Sequence, residues 1–240
     1  MQSSGSGAQG LSSMKGDLQW QKKEPRKAER NLVRKSALKS VDQVLTDSPW
    51  LAIDCEATGL YPYKDDKLFS IAVSNGFQTY YFNFIDYPNL DPDYVLEFED
   101  FCKLDFIYYE KHWVLHNAKF DMALLARERI FLEGKIHDTM VIQRLIKNDD
   151  LKYSLDVVAK TYGYEKLDVV EEYIAEHHLW EWETIPGKKN RKKKKFYNLV
   201  PFSIVSEYAM NDVEVTFMVH AAQGEQLLKI NESYAPGFSI

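Results

Sequence analysis

Trp50-Leu51-Ala52-Ile53-Asp54-Cys55-Glu56-Ala57-Thr58-Gly59-Leu60 is the stretch on which the fold turns. Leu51 to Glu56 reads as a strand that stops at Thr58-Gly59. Residues two apart in a strand share a face, so Asp54 and Glu56 project to one side and Ile53 and Cys55 to the other. Two carboxylates on one face repel each other unless a cation lies between them. Hard divalent ions such as Mg²⁺ favour that kind of oxygen ligation. A solvent-facing acidic strand end has the same pattern, and these residues alone leave both readings open.

Working outward, Lys67–Ser74 and Phe77–Phe84 are β-rich runs separated by Asn75-Gly76, a strong hairpin signal. Asp91-Pro92 opens a periodic stretch, Tyr94 to Lys111, that reads as a helix. Trp113-Val114-Leu115-His116 is a short apolar strand leading into Asn117. A helix is expected from about Phe120 to Phe131, burying Met122, Leu124, Leu125 and Ile130, with Gly134 as its C-cap. Further helices are expected at Thr139–Lys147, at Ser154–Tyr162 ended by Gly163, and at Ser203–Leu228. Strands with a hairpin, followed by alternating helices and a strand, indicate an α/β layer fold with a mixed sheet.

Three more residues carry chemistry. Asp121 stands at the start of a helix, where the backbone dipole favours an acid even without any further role. Tyr208 and Asp212 are four apart in Tyr208-Ala209-Met210-Asn211-Asp212, which in a helix puts both on one face. A phenol beside a metal-binding carboxylate can hold a water and help deprotonate it. A plain polar stripe on an amphipathic helix would look the same.

The chain has 240 residues, 45% hydrophobic and 14% aromatic, which excludes a disordered, collagen-like or disulfide-framed chain for its bulk. Cys55 and Cys102 lack metal-type spacing. No apolar run approaches the roughly 20 residues that span a bilayer, and the N-terminus lacks a signal peptide's regions, so an intracellular, cytoplasmic protein is expected. The net charge of −6 conceals a division. Lys15–Lys39 carries +6 and Lys188–Lys195, reading KKNRKKKK, carries +7, which leaves −19 on the remainder. Such segments can bind a polyanion or can simply be solvated. Trp180-Glu181-Trp182 precedes the second run, and aromatics interleaved with lysines can follow a nucleic-acid backbone and stack on unpaired bases. A disordered surface insertion is the alternative. Residues 1–16 are expected to be a flexible leader or fusion scar, and 17–47 a basic, loosely attached segment with some helix around Ala28–Val44. The folded domain is expected over 48–232 with a basic insertion near 180–198, and 233–240 as a tail.

In order along the chain, Asp54-Cys55-Glu56-Ala57-Thr58-Gly59-Leu60, His116-Asn117-Ala118-Lys119-Phe120-Asp121 and Tyr208-x-x-x-Asp212 resemble the motifs of the DEDDy 3′→5′ exonuclease superfamily. The chain looks most like the proofreading exonuclease domain of family A DNA polymerases, phage enzymes included. The resemblance covers about residues 48–230, and His137-Asp138-Thr139-Met140 and Tyr153-Ser154-Leu155-Asp156 add to it. It implies an RNase H-like fold, a mixed central sheet flanked by helices. It implies that Asp54, Glu56, Asp121 and Asp212 hold two divalent cations, Mg²⁺ or Mn²⁺, and that Tyr208 orients the attacking water with Glu56 as second partner. Hydrolysis of the terminal phosphodiester would then release 5′-mononucleotides. Thr58 and Leu60 match positions that contact the terminal nucleotide, and Asn117 one near the scissile phosphate; turn formation, core filling and capping are their blander roles. Lys192, Lys193, Lys194 and Lys195 are candidate substrate contacts. Ala57 stands where the family often has threonine, which removes one possible hydrogen bond to substrate. His116, His137 and His177-His178 are expected to be capping or surface residues rather than zinc ligands.

The implied substrate is the 3′ end of single-stranded or frayed DNA, with a polymerase domain or subunit as partner and no membrane. An excised domain, a split-gene product and a free-standing nuclease are all compatible expectations. An RNase D-like exoribonuclease is the alternative of the same class. A catalytically inert DNA-binding module of a polymerase is the alternative of another.

Overall fold

The computed structural model describes residues 28–61, 66–184 and 191–234. A six-stranded mixed sheet carries β1 (Glu29–Leu32), β2 (Trp50–Ala57), β3 (Leu68–Ser74), β4 (Gln78–Asn83), β5 (Lys111–Leu115) and β6 (Gly134–Asp138), in the order β1-β4-β3-β2-β5-β6. Strands β2, β3 and β4 form an antiparallel meander, whereas β5 runs parallel to β2 and to β6, and β1 parallel to β4. The helices are α1 (Leu38–Thr46), α2 (Phe98–Phe101), α3 (Ala118–Arg127), α4 (Thr139–Ile146), α5 (Leu155–Thr161), α6 (Val169–Glu176) and α7 (Phe202–Tyr234). A separate hairpin pairs β7 (Trp180–Thr184) with β8 (Arg191–Lys195). Among the described residues no helix is long and apolar enough to cross a membrane.

The two faces of β2 explain the layering. Ile53, Cys55 and Ala57 enter a core shared with α1 and α3. On the opposite face, Ala52 and Ala72 meet Ala209, Val213 and Phe217 of α7. Small residues on both sides let the helix approach the sheet closely. Val213 is fully buried there, and burying one such side chain stabilises by about 1.5–3 kcal/mol. That packing carries Tyr208 and Asp212 up to the acid-bearing end of β2.

The hairpin at Asn75 forms as expected, although Gly76 (φ +84°) alone takes the left-handed conformation, and Asn75 Oδ1 accepts from the backbone N–H groups of Phe77 and Gln78. The helices expected at 139, 154 and 203 are also present.

Several expectations are corrected. Within 17–47, residues 28–47 are integral to the fold: β1 extends the sheet, Val33, Val41 and Leu45 are buried, and Arg30 makes a two-pronged ion pair with Glu214 on α7 (2.9 and 2.8 Å). Arg30 is therefore held by the protein rather than offered to a polyanion. Residues 1–27, the expected leader among them, and 235–240 lie outside the described residues. The helix expected over Tyr94–Lys111 is broken into a 3₁₀ turn (Pro92–Tyr94), the one-turn α2 and another 3₁₀ turn (Asp105–Ile107), and Lys111 already belongs to β5. Leu96, Phe101, Leu104, Phe106 and Ile107 all turn into the core, a burial no single helical face can supply. The carboxylate of Asp42 meanwhile accepts from the Asp105 and Phe106 N–H groups and ends the segment. The helix expected to run to Phe131 stops at Arg127. Gly134 is not its cap but the first residue of β6, at φ +110°, so close to Lys111 that a Cβ would lie 2.1 Å from the Lys111 carbonyl oxygen. Strands β1, β6, β7 and β8 and helix α6 had no counterpart in the sequence reading. His137 lies within a ring cluster of Trp50, His112 and His220 rather than at a cap.

Candidate active site

The carboxylates of Asp54 and Glu56 emerge where β2 ends, and a register shift between Glu56 and Ala57 marks a bulge there. Bulges re-aim side chains and are common beside active sites. Asp121, in the first turn of α3, is almost fully buried, and its Oδ1 accepts from the Cys55 N–H at 2.9 Å. That bond ties the second motif to the first. Asp138 sets the geometry from behind: its carboxylate accepts from Met140 and Val141 as the cap of α4 and also from Asn117 and Ala118 at the start of α3. One residue thus caps two helix starts, which sequence reading saw only as a supporting motif.

Asp54, Glu56, Asp121, Tyr208 and Asp212 line one cleft of about 350 Å³. Leu60, 63% exposed, stands at its rim, and Lys192–Lys195 of β8 form another wall. Thr58 and Asn117 are not part of that wall. Thr58 instead continues the β2–β3 ladder, its Oγ1 accepting from the Lys67 N–H at 2.8 Å. Asn117 adopts a left-handed conformation (φ 63°) that starts α3. His116 Nε2 lies 2.9 Å from the Tyr153 carbonyl oxygen and its Nδ1 2.8 Å from the Thr139 hydroxyl, which itself donates to the Leu115 carbonyl at 3.0 Å.

Electrostatics in the cleft follow from burial. Desolvation raises the Asp54 carboxyl to about 6, against the attraction of Lys166. Asp212 rises to about 7 for the same reason, again opposed by Lys166 and aided by Asp54. Glu56 and Asp121 are pushed well above the carboxylate range by burial and then by Asp54. Such a group of acids is under strain without a cation. The fit to one is direct: the donors are hard carboxylate oxygens, and Asp212 Oδ1 is buried with no hydrogen bond of ordinary length. Among the described residues no group of three or more His, Cys, Asp or Glu side chains is yet drawn together at metal-holding distances. Instead the Lys166 ammonium contacts Asp212 Oδ2 at 2.7 Å. Sequence reading missed Lys166 because no motif marks an isolated lysine in a loop.

The basic run is ordered where described. Lysines of β8 face Glu181 and Glu183 of β7 across the hairpin, pairs worth roughly 0.2–1 kcal/mol each. The Lys192 ammonium lies over the Tyr61 ring (4.4 Å) and that of Lys193 over Trp180 (3.7 Å). Lys194 pairs with Asp66 (3.2 Å) and Lys195 with Glu171. Lys188, Lys189 and Asn190 lie outside the described residues.

A mixed sheet with a carboxylate cleft at the end of its central strand, closed by a C-terminal helix, defines an RNase H-like nuclease-type fold. Residues 30–227 match the 3′–5′ exonuclease family of DNA polymerase A type, and the chain belongs to that family. It is 28% identical over 185 residues to DNA polymerase DpoZ of Salmonella phage PMBT28 (75% of this chain, 27% of the relative). It is 30% identical over 174 residues to DNA polymerase DpoZ of Acinetobacter phage SH-Ab 15497 (69% and 25%). The chain thus spans about a quarter of the length of these relatives. Its fold is similar to that of Escherichia coli RNase D, an exoribonuclease, with a TM-score of 0.55 at 13% identity over 88% of this chain and 47% of that one.

Proposed function

We propose that this chain is a metal-dependent 3′→5′ exodeoxyribonuclease that trims single-stranded or frayed DNA 3′ ends in proofreading, alongside a polymerase domain or subunit. The observation that carries it is the meeting of Asp54, Glu56, Asp121, Asp212 and Tyr208, from one strand and two helices, in a single cleft walled by lysines. Four acids alone would repel a polyanion; with cations bound they attract one. The choice of DNA draws on the phage polymerases to which the chain is similar.

Two divalent cations, Mg²⁺ or Mn²⁺, held by the four carboxylates would supply the charge that activates water and stabilises the attacking and leaving oxygens. Tyr208 presents its phenol to that water. Without metal, burial first and then the charges of Asp212 and Glu56 raise the phenol's pKa, so in the metal-free fold the hydroxyl keeps its proton and can orient a water by hydrogen bonding. Glu56 is the acceptor on the other side. Leu60 offers an apolar rim for the terminal base, and the β8 lysines follow the backbone.

The deciding assay uses 5′-labelled single-stranded DNA, duplex DNA and RNA, with Mg²⁺ or Mn²⁺ and an EDTA control. Stepwise shortening of single-stranded DNA that stops in EDTA is expected. Equal or faster trimming of RNA would move the assignment to an exoribonuclease, and binding with no trimming would make the chain an inert module.

Stability should report the cations without any turnover. The folded-state pKa values of Asp54 and Asp212 lie above the ordinary carboxylate value, so the metal-free fold is favoured below about pH 4 and loses that advantage as pH rises through 6 to 7. For Asp54 alone the shift from 3.8 to about 6 corresponds to about 3 kcal/mol. Mg²⁺ should therefore raise the melting temperature little at pH 5 and strongly at pH 8. His220, held down to about 4 by burial, acts in the opposite sense but cancels in the difference with and without metal. A Mg²⁺ shift that does not vary with pH would refute this account.

The lysine wall makes a separate prediction. Changing Lys192–Lys195 together to serine should weaken binding of an unstructured oligonucleotide, measured in Ca²⁺ across a salt series. Each phosphate neutralised contributes about 0.7 to the slope of log affinity against log salt for single strands. Lys194 and Lys195 are engaged in ion pairs with Asp66 and Glu171, whereas among the described residues Lys192 and Lys193 are held over rings, Lys192 with Glu183 opposite it on β7 at no ion-pair distance. The slope should therefore flatten by about 1.4, two phosphates' worth rather than four. An unchanged slope would leave the hairpin without a role in binding.

A further inference from the structure

Lys166 sits in the loop between α5 and α6, and only 13% of its side chain is exposed. Its ammonium is 2.7 Å from Asp212 Oδ2 and 3.8 Å from the centre of the Tyr208 ring. Its charge also reaches Asp54 and Glu56, lowering both against the effect of burial. The loop is not loosely placed: the Leu167 N–H donates to Asn211 Oδ1 at 2.8 Å, beside Asp212 on α7, and α6 anchors the other side through buried Val170 and Ile174. A single positive charge is thus delivered by the chain itself to an acid of the cluster. The other oxygen of Asp212 is buried with no hydrogen bond of ordinary length, although the Tyr208 hydroxyl is near enough to favour the ionised carboxylate.

We propose that Lys166 is a built-in counter-cation of the carboxylate cluster, which a divalent ion must displace from Asp212 in order to bind, so that Lys166 sets the metal affinity of the site. This rests on the metal-dependent reading above. An ammonium on a four-carbon stem suits the task, because it is compact and its stem can swing once its partner is taken. Through this exchange the cluster is compensated in both states, by one charge without metal and by more with it.

The test is calorimetric titration of Mn²⁺ into the full chain without nucleic acid, at pH 8 in one buffer for every variant. Lys166→Met keeps the stem and removes the charge. Its Mn²⁺ affinity should rise at least about tenfold, the scale of one lost hydrogen bond to a charged group, and its metal-free form should melt at a lower temperature than wild type. Lys166→Arg keeps the charge in another shape and should keep the weaker affinity. Lys166→Gln replaces Lys166→Met if the latter lacks a native near-UV spectrum. Unchanged affinity in the neutral variant, or equal tightening in the arginine variant, would overturn the proposal while leaving the nuclease reading intact. A wild-type chain with no saturable Mn²⁺ binding would overturn both.

Discussion

Asp54→Ala and Asp212→Ala should each slow 3′-end trimming by on the order of 10³-fold or more, with the fold retained. The scale is that of removing a group that stabilises charge developing only in the transition state, about 4 kcal/mol of barrier. Neither side chain is core filling: Asp54 is half-buried at the end of β2, and Asp212 faces the cleft from α7. The two variants should part company in stability. Removing Asp54 takes one negative charge away from Glu56, Asp121 and Asp212, so the metal-free fold should hold steady or gain. Removing Asp212 leaves the Lys166 ammonium without its partner in a mostly buried site, so that variant should melt lower. Single-turnover trimming of a labelled oligonucleotide in Mg²⁺, with melting curves in EDTA, measures both. A near-wild-type rate in either variant would remove the four-carboxylate assignment.

Tyr208→Phe should lower the single-turnover rate by about 10²–10⁴-fold, the usual contribution of a positioned acid–base group. The ring stays, and with it the packing against α7's neighbours and the Lys166 ammonium above its face. What goes is a hydroxyl that keeps its proton in the metal-free fold. Affinity for single-stranded DNA in Ca²⁺ should change by no more than about threefold, well under 1 kcal/mol. The opposite split, with affinity lost and rate kept, would make Tyr208 a substrate-binding residue. A rate that recovers at high pH in the wild type only would instead point to a phenolate.

The parts of this protein visible in its sequence are those that depend on short-range rules. Asp54 and Glu56 share a face because the strand repeat is two. Tyr208 and Asp212 share one because the helix repeat is close to four. Asn75-Gly76 announced its turn because glycine takes the left-handed conformation that Gly76 adopts without the steric cost a side chain brings. The hairpin of β7 and β8 was half legible: Trp180-Glu181-Trp182-Glu183 alternates as a strand should, but a run of lysines has little strand propensity by itself. It becomes a strand by facing the glutamates of its partner. The Tyr94–Lys111 stretch misled for the converse reason. Its apolar spacing suited a helix, but the core takes its residues from several directions, and Asp42, more than sixty positions upstream, holds the backbone where it ends.

By itself the sequence determined the residue types, their order and their local faces: an acidic strand, an acid at a helix start, and a tyrosine one helical turn before another acid. Those are consequences of backbone repeat, which each segment carries within it. Only the tertiary structure decided how the segments meet. Alanines on β2, β3 and α7 let the helix close on the sheet, Asp138 fixed two helix starts at once, and Arg30 drew the N-terminal strand onto α7. It also brought Lys166, some forty-six residues from Asp212, to within 2.7 Å of that carboxylate. No local pattern encodes such a contact, because its energy comes from burial and charge shared between segments distant in the chain.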